Sequence, residues 1–138
     1  MTGVECRRRF AGEPVARLAT IGSGGPRIVP ITFALESDRI VTAIDDKPKT
    51  TTRLRRLKDI ANNPRVAVLV DHYEDDWDEL WWVRADGVAE LVGEGPEMEH
   101  AIDLLTARYT HYRTSRPKGP VISIAVTQWL GWSASETS

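Results

Sequence analysis

Basic residues are concentrated in residues 45–58, which read DDKPKTTTRLRRLK. Six of them are lysine or arginine, although the chain has a formal net charge of −2. Lys49, Arg53 and Arg56 are spaced i, i+4, i+7 and would form one stripe on a helix, whereas Arg55 would point into solvent. The free N–H groups at a helix start favour phosphate. The segment therefore predicts an anion site, although a solvated helix face that pairs with nearby carboxylates is an equally simple interpretation.

A second segment, residues 71–82, combines carboxylates with tryptophans and reads DHYEDDWDELWW. Six of its first nine residues are acidic, and it holds three of the five tryptophans. Trp81 and Trp82 are neighbours on a predicted strand, so one faces the core and the other faces outward. An outward tryptophan usually packs against a partner chain or a flat ring. The segment therefore predicts either a subunit interface or a cofactor contact.

The sequence lacks the common short catalytic and nucleotide-binding motifs GxGxxG, GxxxxGK[ST], GxSxG and HExxH. His72, His100 and His111 have no metal-ligand spacing, and a single cysteine, Cys6, excludes a disulfide framework. We therefore expect no metal site. His100 and His111 are predicted on a helix surface, whereas His72 follows a strand in a plausible site position.

Length and charge exclude several classes of protein. With 138 residues, the chain is predicted to form one domain, 1–138, and its slight negative charge argues against a nucleic-acid binder. No apolar run approaches the roughly 18 residues of a membrane helix, and no apolar segment of a signal peptide follows the arginine-rich start. We expect a cytoplasmic protein without a membrane partner. A domain this small has little room for a deep pocket, so a large ligand would need a second subunit.

Hydrophobic periodicity predicts the elements that must position these residues. It predicts strands at residues 15–21, 27–35, 39–44, 65–71 and 121–129, and either one kinked strand or two over 80–92. Helical spacing predicts helices at residues 4–11, 49–62 and 96–113, the last with a core-packing stripe of Met98, Ile102, Leu105, Tyr109 and Tyr112. Pro30 cannot donate to a sheet, so its strand lies at an edge, bulges or faces a ligand. The pattern predicts a mainly β protein, a small antiparallel barrel with flanking helices.

Four stretches in this order carry a resemblance to a known family. They are VARLATIGSGGPRIVPITFAL, KPKTTTRLRRLKDIANNPRVAVLVDHYEDDW, LWWVRADGVAEL and GPVISIAVTQWLGWSA. The chain resembles the pyridoxamine-5′-phosphate-oxidase-like split-barrel family and, more closely, its actinobacterial branch that uses the deazaflavin cofactor F420. The resemblance implies a six-stranded antiparallel split β-barrel of the FMN-binding type. It also implies a homodimer with two cofactor sites at the subunit interface.

The resemblance further implies which residues contact the cofactor. The flat ring would lie near Pro30 and Thr32 and near the strand end at Thr42, Ala43 and Ile44. The phosphate would lie against the basic residues that follow. The full set implied is Pro30, Thr32, Ala43, Ile44, Lys47, Pro48, Lys49, Thr50, Arg53, Arg56, Trp77 and Trp132, in which the two tryptophans close the site.

The implied activity is that of an F420-dependent oxidoreductase. Reduced F420 would deliver a hydride to a conjugated small molecule, while the protein binds, orients and excludes water, so no catalytic acid–base residue is expected. One alternative is an FMN-dependent oxidase or reductase of the same fold. Another is a non-catalytic cofactor-binding module, which would also lack a catalytic motif.

Overall fold

The computed structural model describes residues 1–44 and 51–135, with the side chains of residues 51–54 left out of the description. The strands in these ranges are β1 (Ala16–Gly22), β2 (Gly25–Ile31), β3 (Ala34–Glu36), β4 (Arg39–Ala43), β5 (Arg65–His72), β6 (Trp81–Val92) and β7 (Val121–Ser133). The helices are α1 (Gly3–Gly12), α2 (Thr51–Asn62), α3 (Pro96–Arg108) and α4 (Thr110–Thr114), with a 3₁₀ turn at Trp77–Glu79.

The strands form a single antiparallel sheet in the order β2-β1-β5-β6-β7-β4-β3. A mainly β fold with flanking helices confirms the predicted class. The described part of the sheet has seven strands rather than six, because the predicted strand at 27–35 is interrupted at Thr32 and Phe33. β2 pairs with β1 and β3 pairs with β4, at opposite ends of the sheet order. The chain therefore changes pairing partner at these two residues, and single-strand periodicity does not reveal that change.

Pro30 lies on an edge strand, as one of the predicted alternatives requires. β2 has β1 as its one neighbour in the sheet order, and Pro30 is the register partner of Arg17. An edge strand has no neighbouring strand on its second side. A proline there costs the sheet no backbone hydrogen bond on that side, although proline has no N–H to donate.

The core of the barrel is filled by alternate residues of the central strands and by residues of two helices, α1 and α2. The buried set includes Leu18, Val68, Val70, Val83, Ile122 and Ile124. Phe10 of α1 and Ile60 of α2 are buried in the same cluster, which fixes both helices against the barrel. α2 is therefore held by its apolar face, and its charged residues are left at the barrel surface.

The third predicted helix packs as expected but is divided. Met98, Ile102 and Leu105 are buried against β3, β4 and β7, which confirms the core-packing stripe over α3. The predicted span of 96–113 is wrong at Tyr109, which is extended (φ −111°, ψ 118°) and separates α3 from α4. Its hydroxyl bonds to Phe33 and Pro14, and those tertiary contacts override the helical periodicity.

The predicted strand at 80–92 is one strand, β6, with a bulge between Asp86 and Gly87. A Cβ atom at position 87 would lie 2.5 Å from the Ala125 carbonyl oxygen, so glycine is required there. β7 runs to Ser133 rather than ending at residue 129, because Trp81 of the long β6 pairs with Ser133. No helix within 1–44 and 51–135 is long and apolar enough to cross a membrane.

Candidate functional site

The ends of β2 and β4 lie side by side. The Thr42 hydroxyl donates to the Thr32 carbonyl at 2.7 Å, and the Ile44 amide donates to the Pro120 carbonyl at 3.0 Å. The structure therefore brings the segment of Pro30 and Thr32 together with the segment of Ala43 and Ile44. Sequence separation alone would not have placed these two segments at one corner of the barrel.

Two tyrosines of the α3–α4 region are bonded to this corner. The Tyr112 hydroxyl lies 2.7 Å from the Thr32 hydroxyl. The Tyr109 hydroxyl accepts from the Phe33 amide at 3.1 Å and reaches the carbonyls of Pro14 and Phe33 at 2.9 and 3.0 Å. Burial raises the pKa of the Tyr109 phenol, so it stays a neutral donor. The sequence placed both residues in a core stripe and gave no signal for their hydroxyl contacts.

A basic groove lies between β2 and α2. Its cavity measures about 300 Å³ and is lined by Thr20, Arg27, Ile28, Val29, Arg55, Arg56 and Asp59. Arg56 Nε is buried and has no hydrogen-bond partner among residues 1–44 and 55–135 or the backbone of 51–54. Burial also lowers the pKa of the Arg56 guanidinium. Arginine stays charged despite this shift. Its Nε–H can therefore donate a charge-assisted hydrogen bond to an anionic ligand.

Arg27 is the residue of this groove that sequence reasoning missed. Its Nε lies 2.9 Å from the Asp59 Oδ2, an ion contact whose angles are not those of a hydrogen bond, and Asp59 is 6% exposed. A Cβ atom at Gly22 would lie 2.3 Å from Arg27 Nε, so glycine at 22 lets the side chain pass. The available signal was the alternation of β2, which puts Arg27 on the inward side with Val29 and Ile31.

The predicted phosphate residues divide into two groups. Lys47, Pro48, Lys49 and Thr50 lie outside the described residues, and so does the Arg53 side chain, although Arg53 belongs to α2. Arg56 lines the groove. Arg55 is exposed as expected, but it lines the same cavity instead of pointing away from it.

Trp77 and Trp132 are not brought to the groove within one chain. Trp77 lies on the 3₁₀ turn and is 68% exposed, and Trp132 lies on β7 and is 45% exposed. Trp132 is the register partner of Trp82, which is the partner of Asp71 on β5. Trp82 and Trp132 therefore lie next to each other on the outward side of the sheet, and neither Trp77 nor Trp132 lines the basic cavity.

The acidic segment builds a different cavity, of about 390 Å³, at the carboxyl end of α1. The His72 ring stacks on Trp81, with ring centroids 5.9 Å apart and an interplanar angle of 15°. His72 lies 3.3 Å from Glu74 and 3.9 Å from Glu13. His100 and His111 are exposed as predicted, and the Glu36 carboxylate raises the pKa of His100. Over the described ranges no group of three or more His, Cys, Asp or Glu could hold a metal ion.

The outward side of the sheet carries apolar residues and paired charges. Ile28 on β2 is 69% exposed. Arg17 pairs with Asp71 at 2.8 Å, and Arg84 pairs with Asp86 at 2.8 Å. Two of the arginines on this side, Arg17 and Arg84, are thus matched by carboxylates, and the side combines apolar residues with charges of both signs.

Solved structures of the same fold cover nearly all of the chain. A conserved hypothetical protein of Mycobacterium tuberculosis is 21% identical, with a TM-score of 0.78, over 97% of this chain and 86% of that one. An FAD-binding protein of Mesorhizobium loti is 22% identical, with a TM-score of 0.72, over 95% and 92%. A heme-binding protein of Mycobacterium smegmatis is 20% identical, with a TM-score of 0.70, over 94% and 57%. At these identities the likeness establishes the fold alone.

The family follows from a comparison with family models. No curated protein matches the chain. The model of pyridoxamine 5′-phosphate oxidase matches residues 4–133, which include every described strand of the barrel and the groove between β2 and α2. The chain therefore belongs to the pyridoxamine 5′-phosphate oxidase family.

Proposed function

We propose that the protein is an oxidoreductase that binds the deazaflavin cofactor F420 in the basic groove and transfers a hydride to a conjugated small molecule. The observation that carries this proposal is the buried Arg56 Nε, which lies near an exposed edge strand and has no hydrogen-bond partner within the part of the chain that the structure describes. An unpaired buried donor is costly, and an anionic ligand would satisfy it.

The residues of the groove fit a ligand with a phosphate and a flat ring. Arg56 would hold the phosphate, since its buried Nε has no hydrogen-bond partner among the described residues, and Arg27, whose Nε faces Asp59, would add a second guanidinium beside it. Ile28 and Pro30 offer an exposed apolar edge to a ring. Thr32 and Tyr112, with hydroxyls 2.7 Å apart, would supply a donor at the end of that edge. Arg27 lies on the inward side of β2 and Ile28 and Pro30 on its outward side, so the charge and the apolar surface meet at the exposed edge of this strand.

The chain's share of the reaction is binding and orientation. When bound, the reduced cofactor supplies the hydride. Arg27 would orient the phosphate end, and its own position is set by Asp59 and by the space at Gly22. One hydroxyl of the Tyr112–Thr32 pair donates to the other, and the hydroxyl that accepts would use its own O–H to orient the other end of the cofactor. The absence of a catalytic acid–base motif agrees with this division of work.

The extent of the groove favours F420 over FMN. Two further cavities, of about 630 and about 470 Å³, adjoin the first, and Arg27 and Arg55 line all three. Lys58 adds a cation to the larger one. F420 carries a polyglutamate tail, and such a tail has carboxylates to place along a continuous cationic surface. The FMN-dependent alternative is supported by a structurally similar protein of Mesorhizobium loti that is named as FAD-binding.

We propose that two copies pair through the outward side of the sheet. Its apolar and aromatic residues, Ile28 and Trp132 among them, are exposed in a single chain. In the Arg17–Asp71 and Arg84–Asp86 pairs each arginine is matched by a carboxylate of the same copy, which reduces like-charge repulsion in a two-fold contact between identical faces. Trp77 and Trp132 of each copy would then be available to the other copy's site. Light scattering with cofactor present should give a dimer, and a monomer would contradict this pairing.

Parallel titrations test the proposed cofactor. The protein is titrated with F420, FMN and heme, and binding is followed by cofactor fluorescence or absorbance. We expect the tightest binding for F420, and tighter binding of FMN would overturn the F420 assignment in favour of the flavin alternative. Reduced F420 is then mixed with the protein and a panel of quinones and enones. Tight F420 binding without oxidation by any of them would favour the non-catalytic module.

A further inference from the structure

Opposite charges lie at the two ends of strands β1 and β5. At one end, which we call the hairpin end, the turn 22–25 joins β1 to β2, and Arg55 and Lys58 lie beside this turn. β5 pairs antiparallel with both β1 and β6, so the loop 73–80 between β5 and β6 lies at the other end of the same strands. The length of these strands therefore separates a cationic end from an anionic one.

The loop 73–80, which we call the acidic loop, carries charge of one sign. It reads YEDDWDEL, with five carboxylates and no lysine or arginine. Its two glutamates line the cavity at the carboxyl end of α1, whereas Asp75, Asp76 and Asp78 are exposed outside that cavity. Neighbouring carboxylates repel one another, so cations from outside the loop would stabilise these three aspartates.

The hairpin end carries an excess of positive charge. Asp59 is the one carboxylate among the described residues that line its larger cavity, and this carboxylate faces Arg27 at 2.9 Å. Arg55 and Lys58 line the same cavity and are exposed. These two side chains are therefore the cations of this end that an anionic surface can reach.

Apolar residues on the outward side of the sheet connect the two ends. Ile21 lies at the hairpin end and is 49% exposed, and Trp132 lies at the end of the acidic loop and is 45% exposed. Ala67 and Leu69 lie between them, at the half-buried outward positions of β5. An apolar strip with opposite charges at its two ends is complementary to a second copy of itself in one orientation.

We propose that, in the pair formed through the outward side of the sheet, each copy seats its acidic loop on the hairpin end of the other copy. This arrangement rests on the proposed pairing. The two-fold axis of a face-to-face pair runs either along the strands or across them. An axis along the strands brings the two acidic loops together, whereas an axis across them brings each loop to Arg55 and Lys58 of the other copy. Opposite charges favour the second arrangement, in which the contact is made twice.

The seated loop would cover the outer part of the groove and leave its inner part to the ligand. Arg56 lines the cavity of about 300 Å³ but neither of the two outer cavities, so it stays available to a phosphate. Arg55 and Lys58 would face the aspartates of the loop in the free protein. The anionic tail of a ligand would compete with the loop for these two cations.

Charge reversal of each surface tests the arrangement in the free protein. The loop variant is Asp75→Lys with Asp78→Lys, and Asp76 is kept because its carboxylate accepts from the Asp78 amide and caps the 3₁₀ turn. The groove variant is Arg55→Glu with Lys58→Glu. Each variant places like charges against each other twice in its own dimer. We expect sedimentation at about 50 mM salt to show about ten- to hundredfold weaker dimers.

An equal mixture of the two variants restores opposite charges at both contacts. Native mass spectrometry should show the mixed dimer above its statistical share, and a mixed dimer at that share would overturn the arrangement. A loop variant that pairs with wild type more tightly than wild type pairs with itself would also overturn it, because that result indicates contact between two acidic loops. If a reversed variant does not fold, neutral variants replace it, Asp75→Asn with Asp78→Asn and Arg55→Gln with Lys58→Gln. Each should dimerise about three- to tenfold more weakly, and unchanged dimers in both would contradict the proposal.

A control variant carries the same charge change on another part of the surface. Glu97→Lys with Asp103→Lys reverses two exposed carboxylates of α3, which packs against β3, β4 and β7. It should dimerise as the wild type does, and an equal loss in this variant would attribute the effect to net charge and overturn the arrangement. The experiment contains no cofactor, so its result is independent of F420 binding. A monomeric wild type would remove the pairing itself, whereas wild-type dimers without the preference for the mixed dimer would overturn the seating of the loop alone.

Discussion

The groove between β2 and α2 and the cavity at the carboxyl end of α1 are alike in size but opposite in how their charges are satisfied. They measure about 300 and about 390 Å³, and both are lined by arginine and carboxylate side chains. In the groove, three arginines line the cavity with one carboxylate, and Arg56 Nε has no hydrogen-bond partner among the residues described. In the other cavity, Arg8 and Arg9 pair with Glu5, and His72 lies between two glutamates.

This difference distinguishes charged side chains that stabilise the fold through partners in the chain from charged side chains that remain available to a ligand. A hydrogen bond already made contributes about 1 kcal/mol to stability, whereas a buried donor without a partner costs about 1–3 kcal/mol. A ligand that satisfies such a donor binds the folded chain and stabilises it. The groove therefore stands out as the ligand site, and the acidic end as a place where the chain bonds to itself.

The largest expected effect comes from removing the Arg56 guanidinium, whose Nε has no hydrogen-bond partner among the described residues. Arg56→Met keeps the length of the side chain and deletes its charge, so F420 affinity should fall about ten- to hundredfold, the value of a charge-assisted hydrogen bond. Fluorescence titration measures this change. Arg65→Met, an exposed arginine on β5 outside the cavity lining, is the matched control and should bind normally. Equal affinity in both variants would contradict the assignment of Arg56.

The second effect concerns stability. Asp59→Asn leaves Arg27 without its carboxylate in a largely buried place, and we expect a loss of about 1–3 kcal/mol in the free energy of unfolding. Urea denaturation measures it. Asp103→Asn breaks a pair of similar length with Arg116, 2.8 Å, whose partners are both exposed, and should change stability by less than about 1 kcal/mol. Similar losses in the two variants would remove the distinction between buried and exposed pairs.

The smallest effect concerns the exposed His100–Glu36 pair. Because the Glu36 carboxylate raises the pKa of His100 in the folded chain, its stabilising contribution is present at acid pH and is lost as pH rises through that raised pKa. His100→Gln should therefore lower the melting temperature relative to wild type more at about pH 5 than at about pH 8. Glu36→Gln should show the same dependence. A gap that grows with rising pH would contradict the sign.

The elements with strong periodicity were predictable from the sequence. β1 and β5 were predicted from the alternation of residues 15–21 and 65–71, and α2 was predicted from the helical spacing of residues 49–62. The first two residues of the last range lie outside the described chain. Two breaks were not predictable. The change of partner at Thr32 and Phe33 depends on the order of strands in the sheet, and the end of α3 at Tyr109 depends on bonds to Phe33 and Pro14.

The candidate site was predictable in part, for a similar reason. Arg56 was found from its place on a helix stripe, which is a local property of the sequence. Arg27 and Asp59 were missed because their contact joins β2 to α2 across 32 positions of the chain. His72 was noted as the histidine in a site position, but its proximity to Glu13, at 3.9 Å, also depends on where the sheet brings α1. Contacts between distant segments are set by the closure of the barrel, not by spacing.

A crystal structure of the protein with F420 tests the central claim most directly. We predict that the cofactor phosphate lies within hydrogen-bond distance of Arg56 Nε, and that the ring lies along the edge strand at Pro30. The cavity at the carboxyl end of α1 should hold no part of the cofactor. A phosphate bound at Arg8 and Arg9, with Arg56 Nε still unpaired, would contradict the account.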